Sequence, residues 1–154
     1  MIRAWRITQR MYEHVAFTGE GSKLFGGRWN SEGHSMVYLA DTFALAQLEL
    51  LANVPRDRLV DMNLVAARVE FDEHLVVGVS ELNMPYDWHH SPWPASTQEM
   101  GDRWLQEKSS PVLCVPSVVS PPEFNYLLNP FHPDFHKITI HPFYSFSFDR
   151  RLLV

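Results

Sequence analysis

One cysteine, Cys114, stands in the whole chain, so no intrachain disulfide can form. That fits a reducing compartment. No run of about 18 apolar residues occurs anywhere, so the sequence offers no membrane-spanning helix. The opening MIRAWRITQRMYEH lacks the apolar stretch of a signal peptide, and the expected location is the cytoplasm. Positive charge is sparse and dispersed. Lys and Arg number 13 against 18 Asp and Glu, the net charge is −5, and no basic run exceeds Arg150-Arg151. Proteins that grip a nucleic-acid backbone present a basic face, so direct DNA or RNA binding is not expected.

Two familiar nucleotide motifs are also missing. Gly19-Glu20-Gly21 begins like GxGxxG, but Leu24 stands where the third glycine belongs. Gly21 and Gly26 have P-loop spacing, yet Gly27 and Arg28 follow where Lys and Ser/Thr are required. A Rossmann dehydrogenase and a P-loop NTPase are thereby disfavoured. The eight histidines form no HExxH. His132 and His136 have i,i+4 spacing, but Pro133 interrupts any helix that would align them, and His89-His90 are adjacent. No catalytic metal is expected. A small metal hydrolase using His132, His136 and His141 stands as an alternative.

What the chain does have is apolar and aromatic bulk. Hydrophobic residues make up 45% of its 154 positions, aromatics 13%, with five Trp and ten Phe. That is enough for one domain with one core, and it supplies rings for stacking flat ligands. Residues 2–8 read as a strand. Residues 18–34 hold five of the seven glycines and read as a long loop. A strand over 35–40 follows, then a helix over 42–53 with Asp41 as its N-cap and Pro55 beyond its end. Strands are expected over 59–71 and 74–79, an aromatic and proline-rich loop over 84–95, and a helix over 97–107 behind a Ser96/Glu99 capping box. A buried strand over 112–119, a loop-rich stretch over 121–136 and two strands within 137–148 complete an α+β single domain with more strand than helix.

Four positions invite chemistry, each with a structural alternative. Arg28 follows two glycines, which suits a bidentate grip on a phosphate or carboxylate; the structural alternative is that it caps a loop carbonyl or makes a surface ion pair. Tyr38 lies in the strand MVYLA and offers either a ligand-facing ring or a core side chain. Glu49 sits on a helix otherwise built from Phe43, Ala44, Leu45, Ala46, Leu48, Leu50, Leu51 and Ala52. A carboxylate on so apolar a helix is either functional or edges a solvent stripe with Gln47. Ser117 ends an apolar strand and lies in no GxSxG elbow, so it reads as a ligand donor or a backbone cap rather than a hydrolase nucleophile.

These pieces recur in one order. Gly27-Arg28-Trp29-Asn30 leads to Val37-Tyr38-Leu39-Ala40 and then Leu45-Ala46-Gln47-Leu48-Glu49. Trp104-Leu105, Val115-Pro116-Ser117 and Asn125-Tyr126-Leu127-Leu128-Asn129-Pro130 follow. His132-Pro133-Asp134-Phe135 and Phe148-Asp149-Arg150-Arg151-Leu152 close the series. In this the chain resembles the RES-domain toxins of bacterial toxin–antitoxin modules, from about residue 3 to residue 152. The resemblance implies a single RES domain over 1–154 with an ADP-ribosyltransferase-like fold of mixed sheets and flanking helices. It implies NAD as substrate rather than as a prosthetic group. The bond between nicotinamide and ribose would be cleaved by water, by phosphate, or with transfer of ADP-ribose to a protein. Arg28, Tyr38, Glu49 and Ser117 would be the catalytic set, and Arg28, Trp29, Asn30, Tyr38, Ser117 and Asn125 would hold NAD. An Xre-type helix-turn-helix antitoxin would be the partner, with a second copy of the chain allowed within that complex. A non-enzymatic binding module built on the aromatic loops is the remaining alternative.

Overall fold

The computed structural model describes residues 1–79 and 83–154. Strand β1 (Ile2–Gln9) runs antiparallel to β3 (Leu64–Phe71) over its whole length, from Ile2 opposite Phe71 to Gln9 opposite Leu64. Its other edge touches β2 (Val37–Ala40) at one pair only, Trp5 opposite Ala40. From β2 the sheet continues through β6 (Phe124–Leu128), β5 (Val112–Pro116) and β4 (Val76–Gly78). On the far side β7 (Thr139–Ile140) and β8 (Tyr144–Phe146) both pair with β3, giving an eight-stranded sheet. The β4–β5 pair is parallel and the others are antiparallel.

Period-two alternation sorts the side chains onto two faces. Ala4, Val37, Leu39, Val69, Phe71, Tyr126 and Leu128 form one apolar cluster on the first face. The second face carries helices. Helix α2 (Phe43–Asn53) sets Leu45 and Ala46 against Trp5, Ile7 and Ala40. Helix α4 (Ala95–Glu107) sets Trp104 and Leu105 against Leu113, Val115 and Leu127. Because both faces are covered, β3 reads as a nearly unbroken apolar run, with Leu64 to Ala67 all buried.

Several boundaries differ from the sequence expectation for local reasons. The glycine-rich stretch contains a short helix, α1 (Glu20–Phe25), between Gly19 and Gly26. Thr42, not Asp41, caps α2, its side chain accepting from the Leu45 N–H at 3.0 Å. Residues 56–59 form a turn of helix, α3 (Arg56–Leu59), before β3 begins at Leu64. Only residues 76–78 of the 74–79 stretch are strand. The expected loop over 121–136 contains β6, whose partners β2 and β5 are distant in sequence. Helix α4 starts at Ala95 with Pro94 at its N-cap and no side-chain cap, so the Ser96/Glu99 box does not form.

Helix α4 approaches the glycine-rich loop at backbone distance. A Cβ on Gly101 would lie 1.6 Å from the Trp29 carbonyl oxygen, whereas a Cβ on Gly21 would meet nothing within 4 Å. Gly101→Ala should therefore force helix and loop apart, costing about 2 kcal/mol and lowering the melting temperature by roughly 4–8 °C. Gly21→Ala, in an open helical position, should be neutral or stabilising. Thermal melts of the two variants test the contact.

Candidate active site

Glu49 lies one turn beyond Leu45 and Ala46, so it continues the face of α2 that packs on the sheet. Beneath it, register brings Asn125 beside Ala40 on one side and Val115 on the other. Ser117 follows directly after β5. The Glu49 Oε1 accepts hydrogen bonds from the Asn125 Nδ2 at 2.8 Å and the Ser117 Oγ at 2.9 Å. The Ser117 hydroxyl is itself pinned, accepting from the Val119 and Ser120 N–H groups at 3.1 Å each, and the residue is fully buried. Two acceptor atoms are left without a hydrogen bond among the described residues. Glu49 Oε2 takes no hydrogen bond among the described residues, and the buried Asn125 Oδ1 has no partner.

The glycine-rich loop closes through a bond from the Gly27 N–H to the Asn30 carbonyl at 2.9 Å. Tyr38, on the α-helix side of β2, reaches up to it. Its hydroxyl donates to Asn30 Oδ1 and accepts from the Trp29 N–H at 3.1 Å. Gly27 is required there, because a Cβ would fall 2.6 Å from the Tyr38 hydroxyl. Asn30 is fully buried and its amide donates to the carbonyls of Ser22 and His34, both at 2.9 Å. Trp29 is only 2% exposed and packs in the cluster with Trp104 and Leu127. These two side chains hold the loop from inside and present no open face of their own.

Arg28 points the other way. Its Nη1 donates to the carbonyls of Trp88 at 2.9 Å and His90 at 2.7 Å. Both hydrogens of that nitrogen are thereby engaged, while the Nε and Nη2 edge makes no hydrogen bond among the described residues. Burial lowers the Arg28 pKa, and the negative charge of Glu49 opposes that shift. The carbonyl-capping reading thus holds at one nitrogen, and the forked edge stays free for an anion.

Sequence inspection missed three contributors. Arg6 stands on the face of β1 opposite Trp5 and donates from Nη1 to the Tyr38 carbonyl at 3.0 Å, where β1 and β2 part. Its Nε is buried without a partner, it forms no ion pair among the described residues, and burial lowers its pKa to about 10. An arginine inside an otherwise half-buried strand was the available signal. Gln98 and Asp102 on α4 brace the loop from behind. Gln98 donates to the carbonyls of Gly27 and Asn30 at 3.1 Å each, and Asp102 accepts from the Ser31 N–H at 3.0 Å and from its hydroxyl. Their i,i+3,i+4 spacing with Gly101 was visible, but its target was not.

The histidines of the metal alternative face separate partners. His132 accepts from the Asp134 N–H and donates from Nε2 to the Lys108 carbonyl. His136 donates to the Pro133 carbonyl, and His141 pairs with Glu70 at 2.9 Å. Among the described residues no three His, Cys, Asp or Glu side chains are arranged to hold a metal ion.

An α+β sheet with this topology is similar to the toxin fold in the crystal structure of the M. tuberculosis MbcT–MbcA toxin–antitoxin complex. The match has a TM-score of 0.78 at 14% identity and covers 95% of this chain and 84% of that one. At such identity the likeness concerns the fold. Sequence carries the assignment further: the RES domain model matches residues 3–149, and the chain belongs to the RES family. A relative from Yersinia enterocolitica, "Toxin Res", is 37% identical over 150 residues, covering 96% of this chain and 97% of that protein. The "Prs ADP-ribosylating toxin" of Sphingobium sp. is 32% identical over 154 residues, with 97% and 95% covered.

Burial is the main cause that raises the Tyr38 pKa well above its ordinary value near 10, so the phenol stays a donor to Asn30. Because the folded value exceeds the unfolded one, this contribution to stability is complete below about pH 10. It declines as pH climbs beyond that point. Comparing ultraviolet titrations of Tyr38→Phe and the parent chain should show that Tyr38 ionises only together with alkaline unfolding. The variant should be about 1–3 kcal/mol less stable at neutral pH, since two buried partners lose their bond.

Proposed function

We propose that this chain is the toxin of a toxin–antitoxin pair and consumes NAD by cleaving the nicotinamide–ribose bond. The observation that carries this reading is Glu49, a carboxylate held by Ser117 and Asn125 with one oxygen free of hydrogen bonds, and near enough to Arg28 for its charge to oppose the burial that lowers the arginine's pKa. In this cleavage the C–N bonding electrons leave with nicotinamide, which departs neutral, and positive charge develops on the ribose. A fixed carboxylate stabilises that charge, and water completes the reaction to ADP-ribose. The free Nε and Nη2 edge of Arg28 suits a phosphate of the pyrophosphate. Asn125 serves the same chemistry by donating to Glu49 and fixing the carboxylate. Tyr38 and Ser117 act chiefly by holding Asn30 and Glu49 in place.

The name of the Sphingobium relative favours a second reading, transfer of ADP-ribose to a protein side chain. The same residues serve, and only the acceptor differs. NAD labelled in the adenylate half separates the two: label in free ADP-ribose marks hydrolysis, and label on protein marks transfer. A purely binding role would suit a Glu49 on open solvent, but its hydrogen bonds fix it at the sheet.

Glu49→Gln provides the decisive variant, because a glutamine oxygen can still accept from Ser117 and Asn125. The kcat for NAD loss should fall roughly 10²-fold or more, with little change in melting temperature. A variant that melts earlier yet retains full specific activity would remove Glu49 from the chemistry. Activity should persist in EDTA, with nicotinamide appearing in step with NAD loss.

An active NAD consumer would starve its own cell, so an inhibitory partner must accompany it. The solved neighbour of this fold was crystallised as a toxin–antitoxin complex. We expect the product of the adjacent gene, an Xre-type helix-turn-helix protein, to co-purify with this chain and to carry any operator binding. Tight sequence-specific DNA binding by this chain alone would contradict that division of roles.

A further inference from the structure

We propose that Asp87 and Ser96 are positioning residues for Arg28, acting through the turn over 85–90. Ser96 does not cap α4; its hydroxyl instead donates to the Asp87 Oδ1 at 2.6 Å. Asp87 sits inside a turn closed by bonds from the Trp88 N–H to the Pro85 carbonyl at 3.1 Å and from the His90 N–H to the Asp87 carbonyl at 3.0 Å. That turn presents the Trp88 and His90 carbonyls that take both hydrogens of Arg28 Nη1. The chain of contacts therefore runs from the first turn of α4, through one carboxylate, to the guanidinium at the site.

Geometry gives this chain a definite effect. A guanidinium on a flexible stem has to lose rotamer freedom before it can hold an anion by two parallel bonds. With Nη1 fixed by two carbonyls, the plane of the group is set and its Nε and Nη2 edge is the one left to bind. The carbonyls are neutral acceptors, so they orient the charge without cancelling it. Helix α4 is itself locked to the glycine-rich loop by Gln98 and Asp102. The Arg28 backbone and its guanidinium are thus referenced to the same helix from two sides.

The kinetic part of this inference rests on the NAD reading; the geometric part does not. The test uses the full chain with isotopically labelled arginine and follows the Arg28 guanidinium by NMR, with NAD turnover measured on the same samples. Asp87→Ala and Ser96→Ala should broaden or average the Arg28 Nη1 signals. They should raise KM for NAD roughly three- to tenfold with kcat nearly unchanged, as expected when a binding group loses its orientation. Asp87→Asn and Ser96→Thr keep an acceptor and a donor and should restore both readouts. If an alanine variant fails to fold, Asp87→Glu, which displaces the carboxylate by one methylene, should give the same loss. Unchanged Arg28 signals overturn the proposal, as does a loosened guanidinium with KM unaltered. Loosened signals in a chain that consumes no NAD at all would leave the brace standing and remove the NAD reading instead.

Discussion

A carboxylate on an apolar helix is tolerated only where donors meet it, and the bonds from Ser117 and Asn125 to Glu49 supply them. Each donor has a fixed origin. Asn125 is set by the β2–β6–β5 ladders, and Ser117 by the turn where β5 ends. Removing either partner would leave a half-buried charge under-satisfied, which is costlier than losing an ordinary hydrogen bond. Helix α2 and three strands therefore share one constraint, and the packing of Leu45 and Ala46 on Trp5 and Ile7 places the helix so that it is met.

The glycine-rich loop solves a different problem, that of holding an arginine at the site without a regular element beneath it. Its interior is filled by Trp29 and Asn30, its backbone is clamped by Tyr38, Gln98 and Asp102, and Gly101 allows α4 to close on it directly. So many side-chain bonds to one short segment leave little conformational freedom. Glycine is needed at position 27 for close approach, not for flexibility.

Much of this was legible in the sequence because it is local. The strand at the N-terminus, helix α2, helix α4 and the last two strands follow from apolar periodicity and breakers. The oddity of Glu49 on an apolar helix is likewise visible in one stretch of chain. What was not legible depends on distant partners. Strand β6 hides in a proline-rich stretch because its pairing with β2 and β5 outweighs its weak local signal. Ser96 and Glu99 look like a capping box by spacing, yet Ser96 finds Asp87, and only the fold brings those two together. Trp29 and Asn30 flank Arg28 in sequence, and only the fold shows that both side chains are buried inside the loop. Arg6 escaped notice because an arginine in a strand is ordinarily a surface residue; its burial follows from the parting of β1 and β2.

That parting has an electrostatic consequence. Arg6 and Arg28 both lie partly out of water, and both have their pKa values lowered by it, which records a cost of keeping them charged. Carbonyls satisfy some of their hydrogens but bring no negative charge, and the carboxylate that acts on Arg28, Glu49, is held by neutral donors. A fold selected for stability alone would pair such charges or replace them with apolar groups. Among the described residues Arg28 is instead held by neutral carbonyls alone, which leaves its Nε and Nη2 edge without an anion. Under the NAD reading proposed above, the ligand would supply the anion that Arg28 lacks, and the Glu49 carboxylate would face the cation that forms as the glycosidic bond breaks.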